Sequence, residues 1–376
     1  MPKLSKLDGT NTMKTPYLAV ISITVICVSI GLLVYDAASL KVHASFEHQE
    51  NHSHANDHDD SYSSEHDSNT NSQDTQQAVF PDQQIFPIPD STEINNELAK
   101  IGWALFKDPN LSSNRSVSCE SCHSLQTNGA EVIPVSTGVN GAGMRNSLTV
   151  FNAAFNYRFF WDGRVNNLGD QIDGPVHNID EMDSNWKHIT DYVSQSETYI
   201  SLFKEQSTTI NEASIKAALI EFMQGLTTPD SPFDQYLRGD HSALSDKAKR
   251  GWEAFQEQGC IRCHQGTNIG GGMVMRFGYF GISKTGSERI EDQGRFMFTR
   301  QPQDKHLFRV ASLRNVAITA PYFHDGQTET LEEAIKIMGE SQLGKTFEKQ
   351  TISEIKTFLE TLTGSRPQML VEFENE

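Results

Sequence analysis

Four of the five cysteines stand in two copies of one pentapeptide, CESCH at 119–123 and CIRCH at 260–264. Two thiols three residues apart on a short helical turn can each add to a vinyl group of one porphyrin, and the adjoining histidine can then bond its iron. A zinc ribbon pairs its half-sites at much shorter spacing than the 141 residues between the two histidines, and neither zinc nor disulfides need a histidine twice at the same place. The pentapeptides therefore predict two covalently bound haems c. The residues concerned are Cys119, Cys122 and His123, and Cys260, Cys263 and His264.

Methionines are the candidates for a sixth iron ligand at the second haem. Met338 lies in the segment KIMG at the end of a predicted helix, and a thioether opposite histidine raises the reduction potential, as an electron entry port needs. Met273 and Met275, from a glycine-rich loop, are competing candidates. Packing in the core is the ordinary role of such a methionine.

Around the first haem the sequence offers acid and base chemistry. The segment WDGR at 161–164 is followed by Gln171 and then by Glu181. Reduction of a peroxide at a haem needs a group that takes the proton from the inner oxygen and delivers it to the outer one, so that water leaves. Glu181 could move that proton while Gln171 holds the peroxide by hydrogen bonds. An isolated glutamate and glutamine are, however, far more often ordinary surface residues.

The elements that must position these residues are mostly helical and are repeated. A predicted helix containing GWxxF leads into each pentapeptide, at 102–106 and at 251–255. A second echo aligns Arg145-Asn146, Thr149 and the segment 160–163 with Arg314-Asn315, Thr319 and the segment 323–326. Strand signals are sparse, and further helices are predicted over 211–226, 246–256, 330–337 and 351–362. The fold class is thus mainly α, with two cytochrome c-like haem domains related by internal duplication.

Four regions follow from composition. Residues 17–35 carry no charge, are long enough to cross a membrane, and follow three lysines, so we expect an export signal in 1–44. A retained anchor is favoured, with cleavage after Val42-His43-Ala44 as the alternative. Residues 45–84 are rich in histidine, aspartate and serine and predict a disordered tether, with weak metal capture by its histidines as an alternative. A turn-rich stretch near Ser231 separates an N-terminal haem domain (85–231) from a C-terminal one (232–376).

The excess of acidic residues limits the classes of binding partner that we expect. Lys and Arg total 31 against 49 Asp and Glu, a formal net charge of -18, so nucleic acid is not an expected partner. Export agrees with covalent haem, which bacteria attach outside the cytoplasmic membrane. We expect a periplasmic location, tethered to the inner membrane by the uncleaved helix.

These residues together resemble the bacterial dihaem cytochrome c peroxidases from about Leu98 to Leu362. The matching segments, besides both pentapeptides, are LFKDP at 105–109, FWDGR at 160–164, GP at 174–175, EM at 181–182, LRNVA at 313–317 and TAPYFH at 319–324. The resemblance implies reduction of hydrogen peroxide to water at the N-terminal haem. Electrons would reach the C-terminal haem from a small cytochrome c or cupredoxin, and a homodimer is common in the family.

Individual roles are carried over by position. The resemblance makes His123 the proximal ligand of the peroxidatic haem, with Gln171 and Glu181 in its distal pocket, and gives the second iron to His264 and Met338. Trp161 would be an electron relay between the haems, although packing between domains is its ordinary role. A calcium ion is implied at Asn146 and the backbone carbonyls of Thr319 and Pro321.

One departure from the family concerns the first iron. Many members carry a histidine after the glycine matching Gly138, where it caps the oxidised iron, but here Val139 and Asn140 follow. Valine cannot ligate iron, so we expect a first haem that is five-coordinate or water-bound and needs no prior reduction. In the alternative, another group such as His177 caps the iron. The role of calcium in activation becomes doubtful as well.

Two other functions compete with the peroxidase. Related dihaem enzymes oxidise residues on a partner protein during cofactor maturation, but they use a tyrosine on the second iron, which Met338 argues against. A non-enzymatic electron-transfer cytochrome would have both irons closed by strong ligands, contrary to Val139 and to the pair Gln171 and Glu181.

Overall fold

The computed structural model describes residues 84–281 and 292–376. The predicted anchor over 17–35, the alternative cleavage site and residues 45–83 of the predicted tether lie outside this part of the chain. Within it, every helix is too short or too polar to span a bilayer.

The described chain is mainly helical, as predicted. Its α-helices are α1 Asn96–Lys107, α2 Cys119–Cys122, α3 Leu168–His177, α4 Trp186–Val193, α5 Glu197–Glu205, α6 Glu212–Gly225, α7 Pro232–Leu237, α8 Asp246–Gln258, α9 Phe296–Thr299, α10 Leu331–Leu343, α11 Lys349–Glu360 and α12 Gln368–Asn375. Short 3₁₀ turns lie at Pro109–Leu111, Ala153–Phe155, Cys260–Arg262, Pro302–Asp304 and Val316–Ile318. Two antiparallel pairs complete it, β1 Thr137–Gly138 with β2 Gly141–Ala142 and β3 Val274–Arg276 with β4 Leu307–Arg309.

Each haem pentapeptide follows a helix that packs closely on a second helix. A Cβ atom at Gly102 of α1 would lie 2.0 Å from the Ala218 carbonyl oxygen of α6. A Cβ atom at Gly251 of α8 would lie 2.0 Å from the Glu354 carbonyl oxygen of α11. The glycine of each GWxxF segment therefore lets two helix backbones touch, which fixes where the following pentapeptide begins.

The structure corrects part of the predicted repeat. Asn152 and Asn315, 163 positions apart, both adopt the left-handed conformation (φ 60° and 62°) and begin equivalent 3₁₀ turns. Phe160 and Phe323 share the same separation and positive φ, as predicted. The alignment of Arg145-Asn146 and Thr149 with Arg314-Asn315 and Thr319 was wrong, because a sequence match of Arg-Asn does not reveal which asparagine has the left-handed backbone.

Two hydrophobic clusters form the core. The first runs from Ala99 to Leu226, and the second contains residues between Phe233 and Leu362. Side chains of α12 join the first cluster, and Ile85 joins the second. Each end of the described chain thus packs on the more distant half, and the domain boundary near Ser231 stays a prediction.

Candidate active site

A cavity lies beside each pentapeptide. The first cavity, about 340 Å³, is lined by Cys119, Cys122 and His123 together with groups from α3 and the loop after it. The second cavity, about 200 Å³, is lined by Cys260, Cys263 and His264 and by apolar side chains of α10 and α11. Each predicted haem attachment site therefore borders a cavity, and the histidine of the pentapeptide lines that cavity.

Burial favours the neutral form of both histidines, which is the form that binds iron. Burial lowers the pKa of His123 and of His264 to about 4. The Nδ1 atom of His264 lies 3.1 Å from the Ala311 carbonyl oxygen, which leaves Nε2 as the free lone pair. Among the described residues, the buried Nδ1 atom of His123 has no partner that meets hydrogen-bond geometry. This chemistry fits a haem in each cavity.

Cys119, Cys122, Cys260 and Cys263 form no disulfide within the described residues. Burial raises the pKa of Cys119 to about 12 and those of Cys122 and Cys260 to about 11. Across residues 84–281 and 292–376, no three histidine, cysteine or carboxylate side chains gather in a cluster that could hold a metal ion. The described chain thus offers no zinc site that would compete with haem.

The structure separates the methionine candidates for the second iron. Met338 and Met275 line the second cavity, whereas Met273 does not. Met338 lies within α10, which continues to Leu343 instead of ending at Ile337 as predicted. Gly339 does not end the helix, because Gly344 adopts the left-handed conformation that caps it. Met338 is thus fixed on a regular helix, whereas Met275 lies on β3 and is 38% exposed.

The repeat explains why the first cavity has no thioether at the position that corresponds to Met338, although Met144, Met182 and Met223 also line this cavity. Helices α3 and α10 begin at Leu168 and Leu331, 163 positions apart, as do the left-handed asparagines. The same separation places Pro175 where the second half has Met338. Pro175 lines the first cavity and has no atom that can ligate iron.

The predicted distal residues meet in the first cavity. Gln171, from α3, and Glu181, from the loop after α3, both line it. Asn178 donates a hydrogen bond from Nδ2 to Glu181 Oε1 at 2.7 Å. Burial raises the pKa of Glu181, although Asn178 and the charge of Arg164 oppose this shift. A carboxyl group with a raised pKa, held in place by an amide, suits proton transfer.

Gly138 and Val139 pack beside Glu181. The Val139 amide donates to the Glu181 carbonyl oxygen at 2.8 Å, and a Cβ atom at Gly138 would lie 1.9 Å from the Asp180 carbonyl oxygen. Neither Val139 nor His177 lines the first cavity, and His177 is exposed. The structure thus does not bring the alternative capping residue His177 to the site.

Trp161 lies between the two cavities and lines both. Its indole N–H donates to the Asn146 carbonyl oxygen at 2.8 Å, and its ring meets the His324 ring edge-on with centroids 6.2 Å apart. The side chain is 9% exposed. This position fits both an electron relay and ordinary packing.

The predicted calcium residues line one small polar cavity of about 80 Å³. Asn146, Thr319 and Pro321 all contribute to its wall. The Asn146 side-chain amide donates to the carbonyl oxygens of Ile133 and Pro134. The three residues are brought together, and oxygen ligands of this kind suit a hard cation.

Sequence reasoning missed several residues that shape the site. Asn178 could have been suspected from its position three residues before Glu181, where its side chain also accepts from the Asp180 amide. Arg145 binds Asp292 through two hydrogen bonds of 2.7 and 2.8 Å and Asp162 through a third. Arg309 lines both haem cavities. The pair of Arg145 with Asp292 and the position of Arg309 at both cavities depend on residues far apart in sequence, so no local sequence pattern predicts them.

Comparison with known proteins gives the family. Residues 96–242 match the family model described as di-haem cytochrome c peroxidase. The chain is 40% identical over 281 residues to the cytochrome c551 peroxidase of Pseudomonas aeruginosa, covering 73% of this chain and 81% of the relative. The chain belongs to the dihaem cytochrome c peroxidase family. It is also 38% identical to the cytochrome c551 peroxidase of Nitrosomonas europaea, covering 76% and 85% of the two chains.

The fold of this chain is also similar to that of a solved structure. A MauG-like protein associated with microbial copper homeostasis aligns with a TM-score of 0.64 and 27% identity, covering 76% of this chain and 95% of that one. Family membership implies two haems c, in agreement with the two cavities.

Proposed function

We propose that the protein reduces hydrogen peroxide to water at the first haem, with electrons from a small redox protein that enter at the second haem. The observation that carries this proposal is the contrast between the two cavities. The second is lined by Met338 as well as the pentapeptide, whereas the first is lined by Pro175, Gln171 and Glu181. One cavity is thus equipped to exchange electrons and the other to handle a substrate.

The side chains of the first cavity have different roles in the reduction of the peroxide. Haem, when bound, supplies the redox chemistry that splits the oxygen–oxygen bond. Gln171 orients the substrate by hydrogen bonds, and the Glu181 carboxylate takes the proton from one peroxide oxygen and returns it to the other. Asn178 keeps one oxygen of Glu181 fixed at 2.7 Å, so the other oxygen remains for the proton. Burial raises the pKa of Glu181, which makes its carboxylate a stronger base for that proton.

Electrons cross between the cavities near Trp161. Its ring is the aromatic group that lines both cavities, and His264 and Met338 would hold the second iron at a high potential. The net charge of -18 favours a basic cytochrome c as donor, partly by raising the association rate. A cupredoxin is the other donor class.

The first site is proposed to accept peroxide without prior reduction. Val139 stands at the position of the family's capping histidine, Pro175 replaces the thioether of the repeat, and His177 is exposed away from the cavity. Calcium bound at Asn146, Thr319 and Pro321 would then be structural and not needed for activation.

The proposed location is the periplasm, and the proposed assembly is a homodimer. The uncharged run at 17–35 supports export and an inner-membrane anchor with a periplasmic catalytic part, and cleavage would give a soluble periplasmic form. A homodimer is proposed from family resemblance alone.

A maturation oxidase is the second candidate function. The MauG-like neighbour has the same fold but lower identity, 27% against 40% for the cytochrome c551 peroxidase. Met338 in the second cavity, in place of tyrosine, favours the peroxidase.

The deciding experiment is peroxide-dependent oxidation of a reduced small cytochrome c by the fully oxidised holoprotein. It is run with and without a prior one-electron reduction, and with and without added calcium. Turnover without reduction is expected. Turnover only after reduction would keep the peroxidase but refute the open site, and absence of turnover in both conditions would refute the peroxidase.

A further inference from the structure

Arg309 is a buried cation at the boundary of both haem cavities. It ends β4, is 5% exposed, and lines the first cavity, the second cavity and the polar cavity between them. Its main chain and its side chain both donate hydrogen bonds to the segment that contains Trp161. The amide donates to the Trp161 carbonyl oxygen at 2.6 Å, and Nε donates to the Phe160 carbonyl oxygen at 3.2 Å.

Nothing in the described chain balances the charge of Arg309. Among residues 84–281 and 292–376, no carboxylate lies within 4.0 Å of its guanidinium, and burial lowers its pKa to about 10. Arg314, buried to a similar degree, binds Asp234 at 2.7 Å. A buried charge without a partner is costly, so Arg309 is expected to meet an anion that residues 84–281 and 292–376 do not supply.

The free donors of Arg309 are the ones that could bind such an anion. A guanidinium has five N–H donors. Nε is used by Phe160, and Nη1 makes one long contact of 3.4 Å with Ser312 Oγ. The planar end of the side chain is therefore left to bind carboxylates, which it can do through paired hydrogen bonds.

We propose that Arg309 is the shared counter-charge for the propionate groups of both haems, and that it raises both reduction potentials. The propionates are the carboxylates of haem, and Arg309 borders each cavity in which a haem fits. A positive charge near the iron favours the reduced state, since reduction removes one positive charge from the iron. A single side chain would thus set the two potentials together while holding the segment of Trp161.

The test is a spectroelectrochemical titration of both haems in the holoprotein, with R309Q and R309K. R309Q is expected to lower both potentials by at least 59 mV, a tenfold change in a one-electron equilibrium. R309K, which keeps the charge, should stay within 59 mV of the wild type. R250Q is the matched control, because it removes the same charge from an exposed pair with Glu354 and should shift neither potential. Unchanged potentials in R309Q, or a shift of one haem only, would overturn the proposal.

A second measurement keeps the proposal testable if R309Q does not fold with two haems. Lysine lacks the planar fork, so the propionate bending bands in the resonance Raman spectrum of R309K should differ from those of the wild type. Identical bands would overturn the proposal. The inference rests on the proposed two-haem function, and the haem content of the wild type tests that function separately from the potentials of the variants.

Discussion

Burial and two neighbouring side chains set the pKa of Glu181. Burial raises its pKa, while the Asn178 hydrogen bond and the Arg164 charge act in the opposite direction. Arg164 is itself held by Asp162 at 2.7 Å and stacks on the Phe160 ring at 3.5 Å. The proton-transfer group is thus positioned by side chains from two loops.

We predict that E181Q lowers kcat/KM for hydrogen peroxide by about 10²-fold or more, because proton transfer by a positioned side chain contributes at least that much. As a base, Glu181 must be ionised, so wild-type kcat/KM should fall as pH drops below its raised pKa. E181Q should lack this acid limb. The measurement is the pH profile of kcat/KM.

The variant D180N provides the matched comparison. The charge of Asp180 raises the pKa of Glu181, so its removal should move the acid limb to lower pH while the rate at neutral pH is kept. An E181Q profile with the wild-type acid limb would show that another group carries the proton.

At the scale of elements, two helices related by the repeat present different residues to their cavities. Helix α3 presents Pro175 to the first cavity, and its repeat α10 presents Met338 to the second. We predict that P175M gives the first iron a thioether ligand, and that peroxidase activity falls more than tenfold because the substrate position is closed. Electron paramagnetic resonance of the oxidised protein should show the first haem converted to low spin.

The control for P175M lies on the same helix. I172M adds a methionine at a buried position of α3 that also lines the first cavity. It should leave the spin state and the turnover unchanged. If P175M kept wild-type turnover and spin state, the repeat would not place residue 175 opposite the first iron.

The paired helices before each pentapeptide give a second prediction at this scale. In an exposed helix, glycine to alanine is stabilising by about 1 kcal/mol. G102A and G251A should instead lower the free energy of unfolding by about 1–3 kcal/mol, because the new Cβ would overlap a backbone oxygen at 2.0 Å. Urea unfolding measures this.

G169A is the control for the helix glycines, since the nearest atom to its new Cβ is Asn167 Oδ1, a side-chain oxygen at 3.3 Å. It should be far less destabilising than G102A. A G102A protein at least as stable as the wild type would mean that α1 and α6 can separate at little cost.

At the scale of the whole molecule, the features that depend on local sequence patterns could be predicted, whereas those that depend on long-range contacts could not. The pentapeptides and the helices around Ala218 and Ile355 follow from spacing and periodicity, which are properties of neighbouring residues. The repeat register was misjudged because it depends on the backbone of Asn152 and Asn315. Arg309 was missed because its partners are chosen by the assembled fold.

The ion pair between Arg145 and Asp292 joins the two halves of the described chain. Burial raises the pKa of Asp292, but the hydrogen bonds and charge of Arg145 outweigh burial and hold that pKa below its usual value. A lowered pKa in the folded state means that the stabilisation is present above the pKa of the unfolded chain, and is lost as pH falls through the folded value.

We predict that D292N lowers the free energy of unfolding by about 3 kcal/mol at neutral pH, because it leaves a largely buried Arg145 without its principal partner. The difference from the wild type should shrink as pH falls below the ordinary aspartate pKa of about 3.9 and through the lowered pKa of Asp292, since Asp292 then becomes protonated in the wild type too. E354Q, which breaks an exposed pair with Arg250, should change stability by less than about 1 kcal/mol. Urea unfolding of the three holoproteins at pH 7 and pH 3 measures this, and a D292N difference independent of pH would show that the charge of Asp292 does not hold the halves together.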